Sequence, residues 1–432
     1  MDDDTRERLV ALRRTFHRHP EPAWCEFWTT SRIVEELERI GVDDLLVGRD
    51  ALASEDRMAV PDEETRATWL ERAREAGARD ATLEALAGGH TGAIASIDRG
   101  DGPHVALRVD IDALRRRESS DPEHVPAAEG FRSENEGAMH ACGHDAHITI
   151  GLGVLEAVAA SGFAGRFTVV FQPAEEQVGG GRAMAESGHL DDVDALFAVH
   201  VGLDHPTGEV VAGIDDFLAV HHFDATFEGE PAHAGAHPEA GRNAVQAMAA
   251  AIQNLYGIAR HADGATRVNV GPVGGGSATN IVPESAFVEG EVRGETTDLM
   301  AYMRERADVV LENAAAMHDC DVDVETVGEA PSAESDQALV DLVYGIAADH
   351  SDVSSPVERD ALGGSEDATY LMRRVQERGG LATYVAIGTD HPGGHHTATF
   401  DVDEATIPIA VEVLRDAVLG FETGVSTSGR RR

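Results

Sequence analysis

The chain contains no lysine at all. Its 35 fixed positive charges are therefore all arginines, set against 78 aspartates and glutamates, and the formal net charge is −43. A surface of that sign repels phosphate backbones and anionic lipids, which excludes nucleic acid and membrane surfaces as expected partners. Cysteine is also scarce. Cys25, Cys142 and Cys320 are odd in number and far apart, which excludes a disulfide framework. No run approaches the ~18 apolar residues of a membrane span. The acidic opening MDDDTRERLV has no apolar stretch of a secretion signal behind it. The expected location is the cytoplasm.

What is present is enough to fold. The 432 residues, 42% of them hydrophobic, exceed the size at which one core stops growing, so two domains are expected. The acidic residues are dispersed among periodic apolar positions, which argues against an acidic disordered chain. Their excess points to a halophilic protein of a high-salt cytosol, where ions screen the self-repulsion.

Residues 5–41 read as a helix, a His-Pro break and a second amphipathic helix ending near Gly41. Residues 50–90 are charged and helix-prone and read as a surface insertion. Short apolar runs at Ile94–Ile97, Val105–Val109, Phe167–Phe171 and Ala195–Val199, with a helix expected over Ile148–Ala160, predict an α/β fold with a mostly parallel sheet. After about Asp216 the pattern changes. Residues 220–228 and 286–293 alternate apolar and polar, as half-exposed antiparallel strands do, with a helix from about Arg242 to Arg260 between them. These predict a smaller α+β two-layer domain over 217–332, inserted into a discontinuous catalytic domain of residues 1–216 and 333–432. A strand at Leu381–Ile387 and a helix over 403–420 close the larger domain. The tail GVSTSGRRR is expected to be disordered. The glycine clusters at 179–181 and 274–276 lack a phosphate-loop lysine and carry no nucleotide signal.

The densest chemistry lies in Met139-His140-Ala141-Cys142-Gly143-His144-Asp145-Ala146-His147, just before a predicted helix. A lone histidine there would be structural. One thiol and three imidazoles so close together instead suit metal ligation, because packing gives no reason to concentrate them. Phe171-Gln172-Pro173-Ala174-Glu175-Glu176 follows an apolar strand, at the end where ligands collect in α/β sheets. One carboxylate of such a pair can bind a cation while its neighbour acts as general base. His200 again stands at a strand end, and Gly394-His395-His396-Thr397 follows the strand at 381–387. Asp110, Cys142, Glu175, Glu176, His200 and His396 thus follow five segments of one predicted sheet.

These motifs, in this order, resemble a metallopeptidase family that holds aminoacylases, hippurate hydrolases, auxin-conjugate hydrolases and glutamate carboxypeptidases. The resemblance covers nearly the whole chain, through HRHPEPAWCEF (17–27), LRVDIDAL (107–114), MHACGHDAH, FQPAEE, AHAGAHPEAGRNA (232–244), TNIVPE (279–284), GSEDA (364–368) and HHTATFDVDE (395–404). The branch acting on p-aminobenzoyl-glutamate is the most similar, through the 48–79 insertion, ATRVNVG (265–271) and the GHHTATFD ending.

The resemblance implies a zinc-peptidase-like fold and two divalent ions, manganese or zinc, held by Cys142, His144, Glu176, His200 and His396. It implies that Cys142 bridges them as a thiolate, that Glu175 is the general base, and that Asp110 supports a ligand, since Arg108 stands where other branches have a histidine ligand. His395 competes with His396 for the last position. His396 is preferred because it lies four residues before Phe400. The inserted domain would form a dimer, with itself or with a related chain, and bring His233 to the oxyanion of the partner's site. Asn280 and Arg293 match the family's substrate-binding pair. The implied activity is hydrolysis of an N-acyl amino acid, p-aminobenzoyl-glutamate foremost. The alternatives are a deacylase of hippurate or auxin conjugates and a non-catalytic subunit of a hydrolase complex.

Overall fold

The computed structural model of the protein describes residues 1–391 and 393–422, so the tail GVSTSGRRR lies outside the described residues. The strands are β1 (Asp44–Val47), β2 (Ala93–Asp98), β3 (His104–Asp110), β4 (Arg166–Gln172), β5 (Ala195–Val201), β6 (Glu209–Asp215), β7 (Ala219–Glu228), β8 (Thr266–Gly275), β9 (Ser285–Gly294), β10 (Asp321–Ala330), β11 (Ser355–Ala361) and β12 (Leu381–Ile387). Residues cluster into two compact units. One comprises Met1–Asp215, Ala333–Leu362 and the chain from Asp367 on; the other comprises Asp216–Ser332 and Gly363–Glu366. The boundaries drawn from the sequence put 363–366 with the larger unit. Hydrogen bonds decide otherwise: the Leu218 N–H reaches the Gly364 carbonyl (2.7 Å) and the Ser365 hydroxyl reaches the Leu218 carbonyl (2.6 Å).

The larger unit is built on an eight-stranded sheet in the order β1-β2-β4-β3-β5-β12-β6-β11. Its central strands β4, β3, β5 and β12 are parallel, while β2 and β6 join antiparallel to β4 and β12. The reversals have a simple cause. Only residues 99–103 separate β2 from β3, and only 202–208 separate β5 from β6. A parallel crossover needs roughly a dozen residues or more. Every residue of β3 and β5 is buried, as befits strands covered on both faces.

Two further differences bear on the site. The helix expected from Ile148 spans His144–Ala159, and it begins at Gly143, whose φ of +90° makes the turn into it. His144 and His147 thus sit in its first turn rather than before it. The 50–90 segment is not only a surface feature: on its helix Glu63–Glu75 and just after, Trp69, Leu83 and Leu86 are buried in the main core. A helix with one apolar stripe must bury it.

The smaller unit is a four-stranded antiparallel sheet, β10-β7-β9-β8, packed against helices Ala244–Tyr256 and Thr297–Ala316. Phe223, Ala225 and Phe227 of β7 face that core in alternation. The sequence pattern revealed β7 and β9 but not β8, whose glycines and proline blur the alternation and whose register shifts between Val270 and Val273. No helix among the described residues is long and apolar enough to cross a membrane. The three cysteines are buried and unpaired by disulfide.

Candidate metal centre

The residues singled out in the larger unit gather at the carboxyl ends of β4, β3, β5 and β12, four neighbouring strands. Asp110 ends β3, Glu175 and Glu176 follow β4, His200 is the penultimate residue of β5, and His396 lies in the loop after β12. Cys142 and His144 arrive on the connection from β3 to the helix His144–Ala159. Ligand atoms of Cys142, His144 and His200 lie within 4.8 Å of one another, as do those of Cys142, Glu176 and His396, and of His144, Glu175 and Glu176. These sets overlap, so one spot, buried at Cys142, His144 and His200 and open at His396, collects donors from all four loops.

The imidazoles are oriented by backbone. His144 places Nδ1 2.9 Å from the Asp112 carbonyl, and its buried Nε2 has no hydrogen-bond partner, lying 3.9 Å from both Glu175 Oε2 and Glu176 Oε1. His200 places Nδ1 2.8 Å from the Val201 carbonyl and Nε2 3.4 Å from the Cys142 sulfur. In each ring the Nδ1–H is spent on a carbonyl, which leaves the Nε2 lone pair facing the shared spot. His396 Nε2 lies 3.6 Å from Glu176 Oε2, and its backbone, at φ +60°, is tied to the Ala141 carbonyl (2.8 Å). His395 instead turns its Nε2 to the Val201 carbonyl (3.2 Å). Of the two candidates, His396 faces the cluster.

The electrostatics suit a cation. Burial and the Glu176 carboxylate push the Cys142 thiol well up, so it ionises only beside compensating positive charge. Burial opposes charge on His144, yet Asp110 and Asp112 raise it well above the usual imidazole range. The acids around this ring thus favour positive charge on or beside it, which a cation at Nε2 would supply in place of a proton. His200 is held well below its ordinary value by burial and by His147 and His395, and stays neutral, the form that ligates. Thiol, imidazole and carboxylate together make a donor set that fits divalent transition ions.

Beneath this spot lies a buried polar layer that the sequence pattern discloses only in part. Asp110 does not enter the thiol cluster; it accepts from Arg108 (2.9 Å) and from His147 Nδ1. His147 Nε2 in turn accepts the Val201 N–H (2.8 Å). Arg108, fully buried, also donates to Gln172 (2.8 Å) and Asp367 (3.3 Å), and Asp367 holds the Gly180 and Gly181 N–H groups. Asp112 was missed. Its carboxylate accepts the backbone N–H groups of Glu175 and Glu176 (3.1 Å each) and its carbonyl orients His144. The signal was in the motif Asp110-Ile111-Asp112, where two acids flank the strand end.

Glu175 and Glu176 form a 3-10 turn entered by Ala174 at φ +57°, with the Ala174 N–H bound to the buried Glu26 (2.8 Å). A Cβ at Gly180 would stand 1.8 Å from the Pro173 carbonyl oxygen, so only glycine lets the loop fold back there.

The smaller unit carries the other three residues. His233 is exposed, and its Nδ1 accepts the N–H groups of Gly235 and Ala236 (3.1 Å each), which places the proton on Nε2. The Asn280 carbonyl accepts the Ala234 N–H (3.0 Å), so Asn280 and His233 lie on adjoining backbone. Arg293 forks onto Glu291 through Nε and Nη2 (2.9 Å each) and reaches Ser365 (3.2 Å). It is thus engaged in an ion pair, with one guanidinium edge committed. The His222 and Arg293 contacts hold Glu291 down at about 2.

Fold and site together define a metal-dependent amidohydrolase. Residues 106–420 match the family described as Peptidase family M20/M25/M40, and the chain belongs to that family. It is 45% identical over 417 residues to an indole-3-acetyl-aspartic acid hydrolase of Enterobacter agglomerans, with 96% of this chain and 95% of that protein covered. It is 44% identical over 418 residues to one subunit of the p-aminobenzoyl-glutamate hydrolase of Escherichia coli strain K12, with 96% of each covered. Among solved structures it resembles an aminobenzoyl-glutamate utilization protein from Klebsiella pneumoniae, with a TM-score of 0.83, 39% identity and 96% of each chain covered. The resemblance drawn from the motifs is met by these relatives.

Proposed function

We propose that this chain hydrolyses the amide bond between an aromatic acyl group and an acidic amino acid, with p-aminobenzoyl-glutamate as its best single substrate. The names of two relatives, one acting on an indole-acetyl aspartate and one on an aminobenzoyl glutamate, share that chemistry. The observation that carries the reading is the pair of imidazoles, His144 and His200, each fixed at Nδ1 by a carbonyl and open at Nε2 toward Cys142 or the glutamate pair. Cys142, His144, Glu176, His200 and His396 would hold two divalent cations, manganese or zinc. Such ions, when bound, polarise the amide carbonyl and acidify water.

The protein's own groups carry the proton traffic. Glu175 takes a proton from the attacking water and returns it to the leaving amine nitrogen. His233, with its proton on Nε2, donates to the developing oxyanion, an effect of about 3 kcal/mol when one such donor is removed. The Asp110–His147 and Arg108–Asp367 contacts keep the ligand loops in place. Asn280 and Arg293 receive the substrate's α-carboxylate, Arg293 by exchanging its Glu291 fork for the ligand. The 217–332 segment serves as dimerisation domain and lid to the catalytic domain of 1–216 and 333–432. The enzyme works in the cytoplasm, paired with a second copy or with a related chain; a relative that is itself named as one subunit of its hydrolase supports the second arrangement.

The test is turnover of p-aminobenzoyl-glutamate, indole-3-acetyl-aspartate and N-benzoyl-glycine, side by side, by protein loaded with manganese or zinc at high salt. The two acidic conjugates are expected to be cleaved faster. Preference for N-benzoyl-glycine would sink the acidic-substrate reading in favour of a hippurate-type deacylase.

A further inference from the structure

A cleft in the larger unit opens beside Glu176 and is walled by Pro22, Ala59, Pro61 and Leu114, with Arg115 at its rim. Its cavity volume of about 180 Å³ is below the roughly 300–1,000 Å³ of whole small-molecule sites and suits one side chain of a larger ligand. The lining joins apolar Pro22, Ala59, Pro61 and Leu114 to polar Arg115, Glu176 and Gln177, which suits a short aliphatic stem ending in a charged group.

Carboxylates outnumber arginines 78 to 35; Arg108 and Arg117 are paired with Asp110 and Glu136, whereas the adjacent Arg116, also exposed, has no side-chain ion pair or hydrogen bond among the described residues and lies outside the cleft lining. The exposed Arg115 guanidinium makes no ion pair or hydrogen bond among the described residues. It does not pair even with Glu176, which lines the same cleft. The cleft thus holds a guanidinium without a contact partner on a surface that otherwise repels anions.

The far wall comes from the 48–90 insertion, and that wall is fixed. The Met58 N–H bonds to the Gly179 carbonyl (3.2 Å), and the Trp24 indole N–H bonds to the Met58 carbonyl (2.6 Å). Both bonds clamp the Ala59–Pro61 stretch against the loop that carries Glu175 and Glu176. Arg66, on the helix that follows, bears with Arg115 on Asp62, whose carboxylate is itself committed to capping that helix through the Thr65 N–H (2.7 Å).

We infer that this cleft is the subsite for the side-chain carboxylate of the amino acid released, and that Arg115 reads that carboxylate. The insertion then supplies the wall that holds the side-chain methylenes, while the guanidinium takes the charge by a fork of N–H bonds. This rests on the proposed hydrolysis of N-acyl acidic amino acids and names the residue that selects among them.

The experiment compares kcat/KM for p-aminobenzoyl-glutamate and its neutral isostere p-aminobenzoyl-glutamine, in the wild type, Arg115→Ala and Arg115→Lys. The wild type is expected to prefer the glutamate by about 10–100-fold, the range set by a charge-assisted contact. Arg115→Ala should erase that preference, chiefly through KM, while its rate on the glutamine substrate stays within about twofold of the wild type. Arg115→Lys should restore part of it. Retained turnover of the glutamine substrate shows that the variant is folded. An unchanged preference in Arg115→Ala, an equal fall on both substrates, or a wild type indifferent to the side-chain charge overturns the assignment and leaves the hydrolase standing. A wild type that cleaves neither compound overturns the hydrolase reading, and the assignment with it.

Discussion

The Nε2 of His200 lies 3.4 Å from the sulfur of Cys142, although 58 positions separate them in the chain. This approach joins the connection after β3 to the end of β5. Substituting either partner should therefore empty the site without unfolding the protein. Cys142→Ser and His200→Ala are expected to lose bound metal and activity together, with circular dichroism unchanged. Full metal content in both variants, measured by elemental analysis, would remove these residues from the ligand set.

Glu175→Gln separates binding from chemistry. The amide keeps the shape of the side chain but cannot accept a proton, so turnover should fall by about 10²–10⁴-fold, the usual contribution of a general base. Metal content should match the wild type. A rate within about tenfold of the wild type, with metal in place, would assign the base elsewhere.

Alkaline pH should weaken the fold through His17. Its ring is fully buried between Asp145 (2.8 Å) and Glu118 (3.0 Å). Burial and Arg13 push its pKa down, but those two carboxylates prevail and bring it up to about 9. A histidine raised above its unfolded value near 6.5 stabilises fully below that pH, and the contribution is lost as pH rises through about 9. The melting temperature should fall between pH 7 and 10, and His17→Gln should flatten that fall. An equally steep loss in the variant would place the cause in another group.

Salt should stabilise the protein. With a net charge of −43, self-repulsion is strong in dilute buffer. The screening length shrinks from about 10 Å at 0.1 M to about 3 Å at 1 M. The melting temperature is expected to rise steadily over that range of potassium chloride. A flat profile, with full activity at low salt, would refute a high-salt habitat.

Much of the fold was legible because its signals are local. β3, β5 and β12 are short apolar runs, and the β7 and β9 alternation follows from one solvated face. The mixed direction of the large sheet could have been deduced from the short links 99–103 and 202–208. β8 could not, since Gly271, Pro272 and Gly274 interrupt its pattern and only β9 gives it a register. In the site, the ligand types were visible as a concentration of donors. Asp112 escaped, and the supporting role of His147 did too, because their work is done through backbone groups of distant residues, the N–H of Glu175, Glu176 and Val201.

The sequence by itself determined which donors exist, which strands precede them, and that the surface is strongly acidic, since these depend on residue type and short-range period. Only the tertiary structure turned His396 toward Glu176 and His395 toward the Val201 carbonyl, buried Arg108 among Asp110, Gln172 and Asp367, and set Arg115 against the insertion at a cleft. The physical reason is that ligation and ion pairing act over a few ångströms. Neighbours in the chain such as His395 and His396 can point to different partners, and residues far apart meet only when the strands that carry them lie side by side.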